Sequence, residues 1–173
     1  CVTGSLFNPC VTVSLVLLGI LPPFRGLLYV IAQFMGSVLA STLLLGLRGT
    51  LSVKHDIHCS NTSLRPGTSV TQGVFITCAL VMAVLMLAAE KHQATAFAPI
   101  GFGLTLFSCH LYVFATFYTG ASMNTARSFG PALVSGFPTP NHWVYWVGPF
   151  LGSILGSTFY ALCKHSKYWT LNP

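Results

Sequence analysis

Charged side chains are scarce in this sequence. Lysine, arginine, aspartate and glutamate supply 6% of the 173 residues, whereas a soluble domain has roughly 25%. The only two acids, Asp56 and Glu90, lie in polar breaks between apolar stretches. A buried pair of carboxylates is therefore excluded, and no base, nucleophile and orienting group occur together elsewhere. This composition argues against an enzyme.

Nucleic-acid binding and metal binding are also poorly supported. The net charge is +6, but the eight Lys and Arg residues occur one or two per polar break and form no phosphate-binding stripe. The six cysteines show no CxxC or CxxH spacing, the spacing that indicates a zinc site or a redox motif. We therefore expect no nucleic-acid partner, no metal, no cofactor and no disulfide framework.

The first residues lack the marks of a natural N-terminus. Residue 1 is Cys and not Met, and the chain does not open with a charged segment followed by an apolar one. A signal peptide is therefore not indicated. We expect the natural N-terminus to lie upstream, which makes this chain a fragment.

Long stretches of apolar residues, by contrast, are abundant. Hydrophobic residues make up 53% of the chain, and its mean hydropathy is +0.72. A helix needs about 20 mainly apolar residues to cross a bilayer. Four stretches meet this requirement: 26–47, 70–89, 96–118 and 143–163. We predict an all-α integral membrane protein with four full spans, whose main solvent is the lipid bilayer.

Two shorter apolar segments, 11–21 and 128–137, are preceded by Asn8 and Asn124. They are too short to cross a bilayer. Asn is a favoured helix N-cap, and Pro9 suits the first helical position because its dihedral angle is preset and it has no N–H. We predict two re-entrant half-helices that begin at these asparagines.

An internal repeat relates the two half-helices. Residues 34–44 (FMGSVLASTLL) match residues 150–160 (FLGSILGSTFY) with six identities in eleven positions at a shift of 116. The same shift carries Asn8 onto Asn124. Three predicted crossings separate equivalent points, so the second copy enters the membrane from the opposite side. This arrangement is an inverted repeat.

Small residues recur one helical turn apart in the matched spans. The first copy has Gly36 and Ala40, and the second has Gly152 and Gly156. Such pairs let two helix backbones approach closely in lipid. We predict that both faces pack against other helices.

The two asparagines form the candidate site. Irregular backbone at membrane depth is tolerated only where it is buried in protein or lines a wet cavity. Inverted half-helices would bring Asn8 and Asn124 face to face, with their amides donating to a neutral solute while the positive helix N-termini repel cations. Such a site suits water and opposes protons. Taken singly, each Asn is a plain loop cap, and only the shared register favours the site.

Two further ionisable residues are candidates. Arg127 follows Asn124 by three residues in an apolar neighbourhood, where a charged side chain is a functional candidate. An Arg that reaches the outer surface is the alternative. His110 is the one His inside a predicted span, and a pore role and a hydrogen-bonded buried role are both open.

At these residues the chain resembles the aquaporin family, over residues 1–173 and most closely its fungal members. The stretches FNPCVTVSL, GASMNTARSFGPA and HWVYWVGPFLGS carry the resemblance. It implies a water channel, an aquaporin-like fold and a homotetramer. The two Asn-Pro-Ala motifs of the family correspond to Asn8-Pro9-Cys10 and Asn124-Thr125-Ala126, both altered and both keeping the Asn. We expect Cys10 to lie beside the solute path, within reach of a small mercurial.

The resemblance also implies a constriction outward of these motifs, built from Arg127, His110 and Ala121 with an aromatic residue of the second span. The interval from His110 to Asn124 is slightly longer than the family pattern, so by spacing alone Tyr112 could take the place of His110. The first span and most of the second are expected to precede residue 1. By the same resemblance, we expect after residues 73–75 a further segment with an acidic residue that braces the second half-helix, and the sequence lacks it.

Water is favoured over glycerol by two further similarities. Ser128 follows the Arg, and Tyr145 and Trp146 form an aromatic pair on the last span, where glycerol channels carry Asp and Pro-Leu. A channel for glycerol or another small neutral solute is the first alternative. A non-conducting membrane subunit is the second.

We treat residues 1–173 as a single, partial channel domain. It divides into 1–47 (first half-helix and span), 70–118 (two spans) and 119–163 (second half-helix and last span). Lys and Arg near span ends mark the cytoplasmic side, where we place Arg25, Lys91, Lys164 and Lys167. The sequon at Asn61 then lies outside as a possible glycosylation site. The membrane itself, plasma or internal, is left open.

Overall fold

A computed structural model describes residues 6–49, 66–90, 93–116, 120–138 and 140–167. Every regular element in these ranges is a helix, as predicted. The possible glycosylation site Asn61 lies outside the described residues. The helices are α1 (Pro9–Leu17), α2 (Pro23–Arg48), α3 (Pro66–Val84, continued by a π-helical turn Leu85–Ala89), α4 (Ala98–Thr116, preceded by a 3-10 turn Gln93–Phe97), α5 (Thr125–Val134) and α6 (Val144–His165).

Three of the described helices are long and apolar enough to cross a membrane: α2, α3 with its π-helical turn, and α6. Helix α4 has 19 residues, which corresponds to about 28 Å at 1.5 Å per residue. That length is close to the thickness of the hydrocarbon core. The number of full spans therefore stays a prediction, with each predicted stretch overlapping one long helix.

The two short helices begin directly after their asparagines, as predicted. Helix α1 starts at Pro9 and α5 at Thr125, ahead of the apolar segments that open at residues 11 and 128. The reason is capping: Oδ1 of Asn8 accepts from the Cys10 N–H at 2.9 Å, and Oδ1 of Asn124 accepts from the Arg127 N–H at 3.2 Å. Each helix therefore begins directly after its Asn.

Both short helices end earlier than predicted, at Leu17 and Val134. Gly19 (φ +70°) and Gly136 (φ +73°) follow in the left-handed region. Their N–H groups bond back to the carbonyls of Val16 and Leu133, which closes each helix in a turn. The apolar segments 11–21 and 128–137 continued through these turns, so their far ends were wrong.

Each short helix packs on the long helix of the other repeat copy, α1 on α6 and α5 on α2. Ser153 Oγ on α6 donates to the Cys10 carbonyl at 2.7 Å. Ser37 Oγ on α2 donates to the Ala126 carbonyl at 2.5 Å. The shift of 116 carries Ser37 onto Ser153 and Cys10 onto Ala126. The two hydrogen bonds are therefore equivalent, and the copies exchange the same contact.

The small-residue face of α6 packs tightly against α3. A Cβ atom on Gly152 would lie 2.5 Å from the Val74 carbonyl oxygen, and one on Gly156 would lie 3.0 Å from Cγ1 of Val81. The packing prediction is confirmed there. It is wrong at Gly36, which has nothing within 4 Å, because over the described residues no helix lies against that face of α2.

Apolar side chains cover much of the described surface. Helix α2 buries only Gly26 and Ser41 among its 26 residues. Leu39 (67% exposed), Leu43 (66%) and Leu47 (76%) project outward from it. In water such a helix would be unstable, whereas lipid is a favourable solvent for it. The exposed apolar faces agree with an integral membrane protein.

Candidate functional site

The N-termini of α1 and α5 meet, and their asparagines exchange hydrogen bonds. Nδ2 of Asn8 donates to the Met123 carbonyl at 2.9 Å, and Nδ2 of Asn124 donates to the Phe7 carbonyl at 2.9 Å. The repeat shift carries Phe7 onto Met123. The pair of contacts therefore has approximate two-fold symmetry, with one Asn from each copy.

The asparagines keep donor capacity for a solute. Each side-chain amide has one acceptor oxygen and two N–H donors. The oxygens cap the helices, and one N–H of each amide crosses to the other copy. Among the described residues, one N–H of Asn8 and one of Asn124 have no hydrogen-bond partner. Both residues line a cavity of about 660 Å³.

Most of this cavity has an apolar wall. The helices α1, α3 and α4 contribute Val11, Leu15, Leu80, Val84, Phe102 and Leu106. The polar residues that line it are Asn8, Asn124, His110, Arg127 and Ser122. An apolar passage with a few fixed donors holds a small polar solute in place without binding it tightly.

Arg127 is held beside the second asparagine. Its backbone N–H donates to Asn124, and Nη1 lies 3.5 Å from the Ala121 carbonyl oxygen. The side chain is exposed and lines the cavity. Its guanidinium group therefore adds a positive charge to the cavity, which the asparagines at both helix N-termini also line.

Ala121 contributes its backbone and not its side chain. The residue is fully buried, and the atom of Ala121 that reaches Arg127 is its carbonyl oxygen. Ala121 (φ +49°) and Met123 (φ +46°) both adopt the left-handed region, which is uncommon for residues other than Gly. The hydroxyl of Ser122 holds this turn by bonding to the Asn124 carbonyl at 2.9 Å and to the Ser128 hydroxyl.

His110, and not Tyr112, lines the cavity. Nδ1 of His110 lies 2.8 Å from the Leu106 carbonyl oxygen one turn earlier. A carbonyl only accepts, so Nδ1 carries the proton of this bond, and Nε2 of the neutral ring is an acceptor. Tyr112 lies in a separate surface groove with Gln72 and Phe75. The structure thus favours His110 of the two alternatives.

Cys10 lies behind the asparagines. The residue is fully buried, and its Sγ atom is 3.5 Å from Oγ1 of Thr125, which is also fully buried. Pro9 and Ala126 are buried beside them. Cys10 therefore does not line the cavity of Asn8 and Asn124, and its side chain points into the junction between α1 and α5.

Sequence reasoning missed the groups that fix this junction. The carbonyls of Phe7 and Met123 hold the asparagine amides, and the hydroxyls of Ser37 and Ser153 hold the half-helices. Every residue has a backbone carbonyl, so the sequence does not show which carbonyls accept hydrogen bonds. The two serines could have been found from the sequence, since Ser37 and Ser153 are identical positions of the internal repeat.

The aromatic pair on α6 contributes to packing. Trp146 stacks on Phe34 of α2 (ring centroids 5.4 Å apart) and meets Phe129 of α5 edge-on at 5.7 Å. Tyr145 is buried against Ala132 of α5. Over the described residues, no group of three His, Cys, Asp or Glu side chains is placed to hold a metal ion.

The family model described as "Major intrinsic protein" matches residues 1–160. The chain belongs to this family. Major intrinsic proteins of the aquaporin type are integral membrane channels, so this chain is an integral membrane protein. The resemblance read from the two asparagine motifs is confirmed.

Curated relatives of the same family come from fungi. "Aquaporin-1" of Laccaria bicolor is 59% identical over 99% of this chain and 54% of its own length. "Aquaporin-7" of Botryotinia fuckeliana is 48% identical over 99% of the chain and 37% of its own length. "Aquaporin-1" of Gibberella zeae is 43% identical, with 99% and 52% covered. The chain spans about half the length, or less, of the curated relatives it matches.

Proposed function

We propose that this chain provides the central part of a passive water channel. The observation that carries the proposal is the reciprocal pair of hydrogen bonds between the asparagines and the opposite copy's carbonyls. These bonds fix both amides and leave one N–H of each for a passing molecule. Water accepts two such bonds and leaves again, since the rest of the wall is apolar. The aquaporins named above support the same class of solute.

The same geometry opposes protons and cations. A helix N-terminus carries roughly half a positive charge, and α1 and α5 begin together at the asparagines. A cation at this point meets both helix ends and the charge of Arg127. A water molecule that accepts from both asparagines has its oxygen lone pairs engaged, so it cannot relay a proton along a file.

Arg127, His110 and the Ala121 carbonyl form the proposed constriction. The Arg supplies donors and a charge, the His supplies an acceptor at Nε2, and the carbonyl supplies a second acceptor. Water matches such a mixed set with its own donors and acceptors. A glycerol molecule needs a larger, less polar opening beside its carbon chain.

In the proposed topology, α2, α3, α4 and α6 are four full spans, and α1 and α5 are half-helices that enter from opposite sides. Support comes from the equivalent bonds of Ser37 and Ser153, which an inverted repeat requires. The assembly is a homotetramer in this proposal, by resemblance to the family.

The test is water transport by the natural gene product reconstituted in lipid vesicles. We expect shrinkage in an osmotic gradient to be faster than for empty vesicles, without added proton or glycerol flux. Asn8→Leu and Asn124→Leu should each abolish the gain, whereas Asn141→Ala in a turn outside the cavity should keep it. Glycerol flux as fast as water flux would favour the glycerol channel. Vesicles no faster than empty ones would favour the non-conducting subunit.

A further inference from the structure

The junction between the two half-helices is chemically asymmetric. The repeat shift pairs Pro9 with Thr125 and Cys10 with Ala126. Across the junction, the Sγ atom of Cys10 contacts Oγ1 of Thr125 at 3.5 Å. The equivalent positions under the repeat are Ala126 and Pro9, whose side chains have no hydrogen-bonding atom. One side of the junction is therefore polar and the other is apolar.

Thr125 makes one side of the junction polar, and its buried polar groups need a hydrogen-bond partner. It stands at the first position of α5, where α1 has a proline, and proline has no N–H to satisfy. Thr125 brings both an N–H and a hydroxyl into a fully buried place. The hydroxyl lies against the sulfur of Cys10. A thiol is a weak donor and a weak acceptor, so it can pair with the hydroxyl in either direction, which an alanine methyl at position 10 could not do.

The contact also joins the residues that hold the asparagines. The N–H of Cys10 donates to Oδ1 of Asn8 at 2.9 Å. Thr125 directly follows Asn124 in the chain. A change in the distance between Cys10 and Thr125 therefore moves the two helix starts, and each asparagine amide moves relative to the opposite carbonyl.

We infer that Cys10 and Thr125 act as a coupled positioning pair, which sets the spacing between α1 and α5 and thereby aligns the asparagine amides along the solute path. The inference rests on the proposed function for its effect on transport. The coupling itself does not, because it is a property of the folded junction. Neither residue touches the solute, since both are fully buried.

The experiment is a double-mutant cycle in the natural gene product. Cys10→Ala leaves the Thr125 hydroxyl without the sulfur. Thr125→Pro leaves the thiol without its partner and brings a ring against it. Each single variant should lower the midpoint of thermal unfolding by about 2–4 °C and raise the proton flux relative to water flux. The double variant reproduces the Pro and Ala of the other side of the junction, so it should recover most of both losses.

Two further variants separate positioning from general damage. Thr125→Ser keeps the hydroxyl and should retain more selectivity than Thr125→Val, which keeps the shape and loses the hydroxyl. Cys163→Ala near the end of α6 removes a cysteine far from the junction and should leave both readouts unchanged.

The inference would be overturned if the losses in thermal midpoint and selectivity were additive in the double variant. It would also be overturned if the single variants behaved like the unchanged protein. Thermal midpoints that are coupled in a protein without water permeability would overturn the proposed function and the role in transport, while the packing of the junction would stand. Coupled midpoints together with coupled selectivity in a conducting protein would support the inference in full.

Discussion

Gly152 of α6 lies so close to Val74 of α3 that a Cβ atom at residue 152 would be 2.5 Å from the Val74 carbonyl oxygen. That oxygen belongs to the helix backbone and cannot move aside as a flexible side chain can. The contact therefore fixes how closely the two helices approach, and only Gly is compatible with it.

Gly152→Leu should destabilise the folded protein by about 1–3 kcal/mol or more, the usual cost of forcing extra volume into a packed interface. The measurement is thermal unfolding in detergent together with the yield of folded protein. Gly46→Leu is the matched control, because Gly46 has nothing within 4 Å and its repeat equivalent is the exposed Leu162. Equal yield and stability for both variants would contradict the close packing of α6 on α3.

Arg127→Val should let cations or protons leak while water still passes, because the positive charge that Arg127 adds to the cavity is removed. A tenfold rise in proton flux would correspond to about 1.4 kcal/mol of lost barrier. Proton and water fluxes in the same vesicles are the measurement. Arg48→Val, at the far end of α2, is the control. An unchanged flux ratio for Arg127→Val would instead indicate an arginine that only reaches the surface.

A small mercurial should react slowly with Cys10 in the folded protein, because the thiol is fully buried against Thr125 and buried structural cysteines are unreactive. Mass spectrometry of the labelled protein distinguishes the cysteines. Cys163, which is partly exposed, should react before Cys10, and Cys10 should react once the protein is unfolded. Rapid labelling of Cys10, with loss of water flow, would return it to the solute path.

Acid should destabilise the protein through His142, which precedes α6. Burial lowers the pKa of His142, and the side chain packs between Phe137 and Tyr145 with ring centroids 5.1 and 5.8 Å away. Below about pH 6.5 the unfolded chain binds a proton that the folded chain does not, so the free energy of unfolding falls with falling pH. Above that pH both states are neutral and this residue contributes no slope.

Thermal unfolding midpoints between about pH 5 and pH 7.5 test this dependence. His142→Phe keeps an aromatic ring beside Phe137 and should flatten the profile on the acid side. His165→Gln, at the exposed end of α6, should keep the profile of the unchanged protein. A slope that survives His142→Phe would assign the acid sensitivity to other groups.

The sequence by itself was enough to predict that lipid surrounds the chain and where its long helices lie. Scarce charge and apolar stretches of about 20 residues indicate membrane spans whatever the tertiary packing, and each predicted stretch overlaps a long helix. The asparagines also fixed the start of the short helices, because capping is a local interaction between residues two or three apart. The helix ends were less readable, since a turn at Gly19 or Gly136 interrupts an apolar run without changing its composition.

Tertiary structure alone decided which groups meet. Cys10 looked like a residue of the solute path by its place beside Asn8, yet it is buried, because the start of the opposite half-helix occupies the space beside its sulfur. Ala121 faces inward, and only its carbonyl reaches Arg127, because the left-handed turn at residues 121–123 rotates the backbone. Gly36 and Gly152 have the same small-residue spacing in the sequence, which predicts close helix packing at both. They differ in the structure because close packing needs a second helix, which the described residues provide for α6 and not for that face of α2.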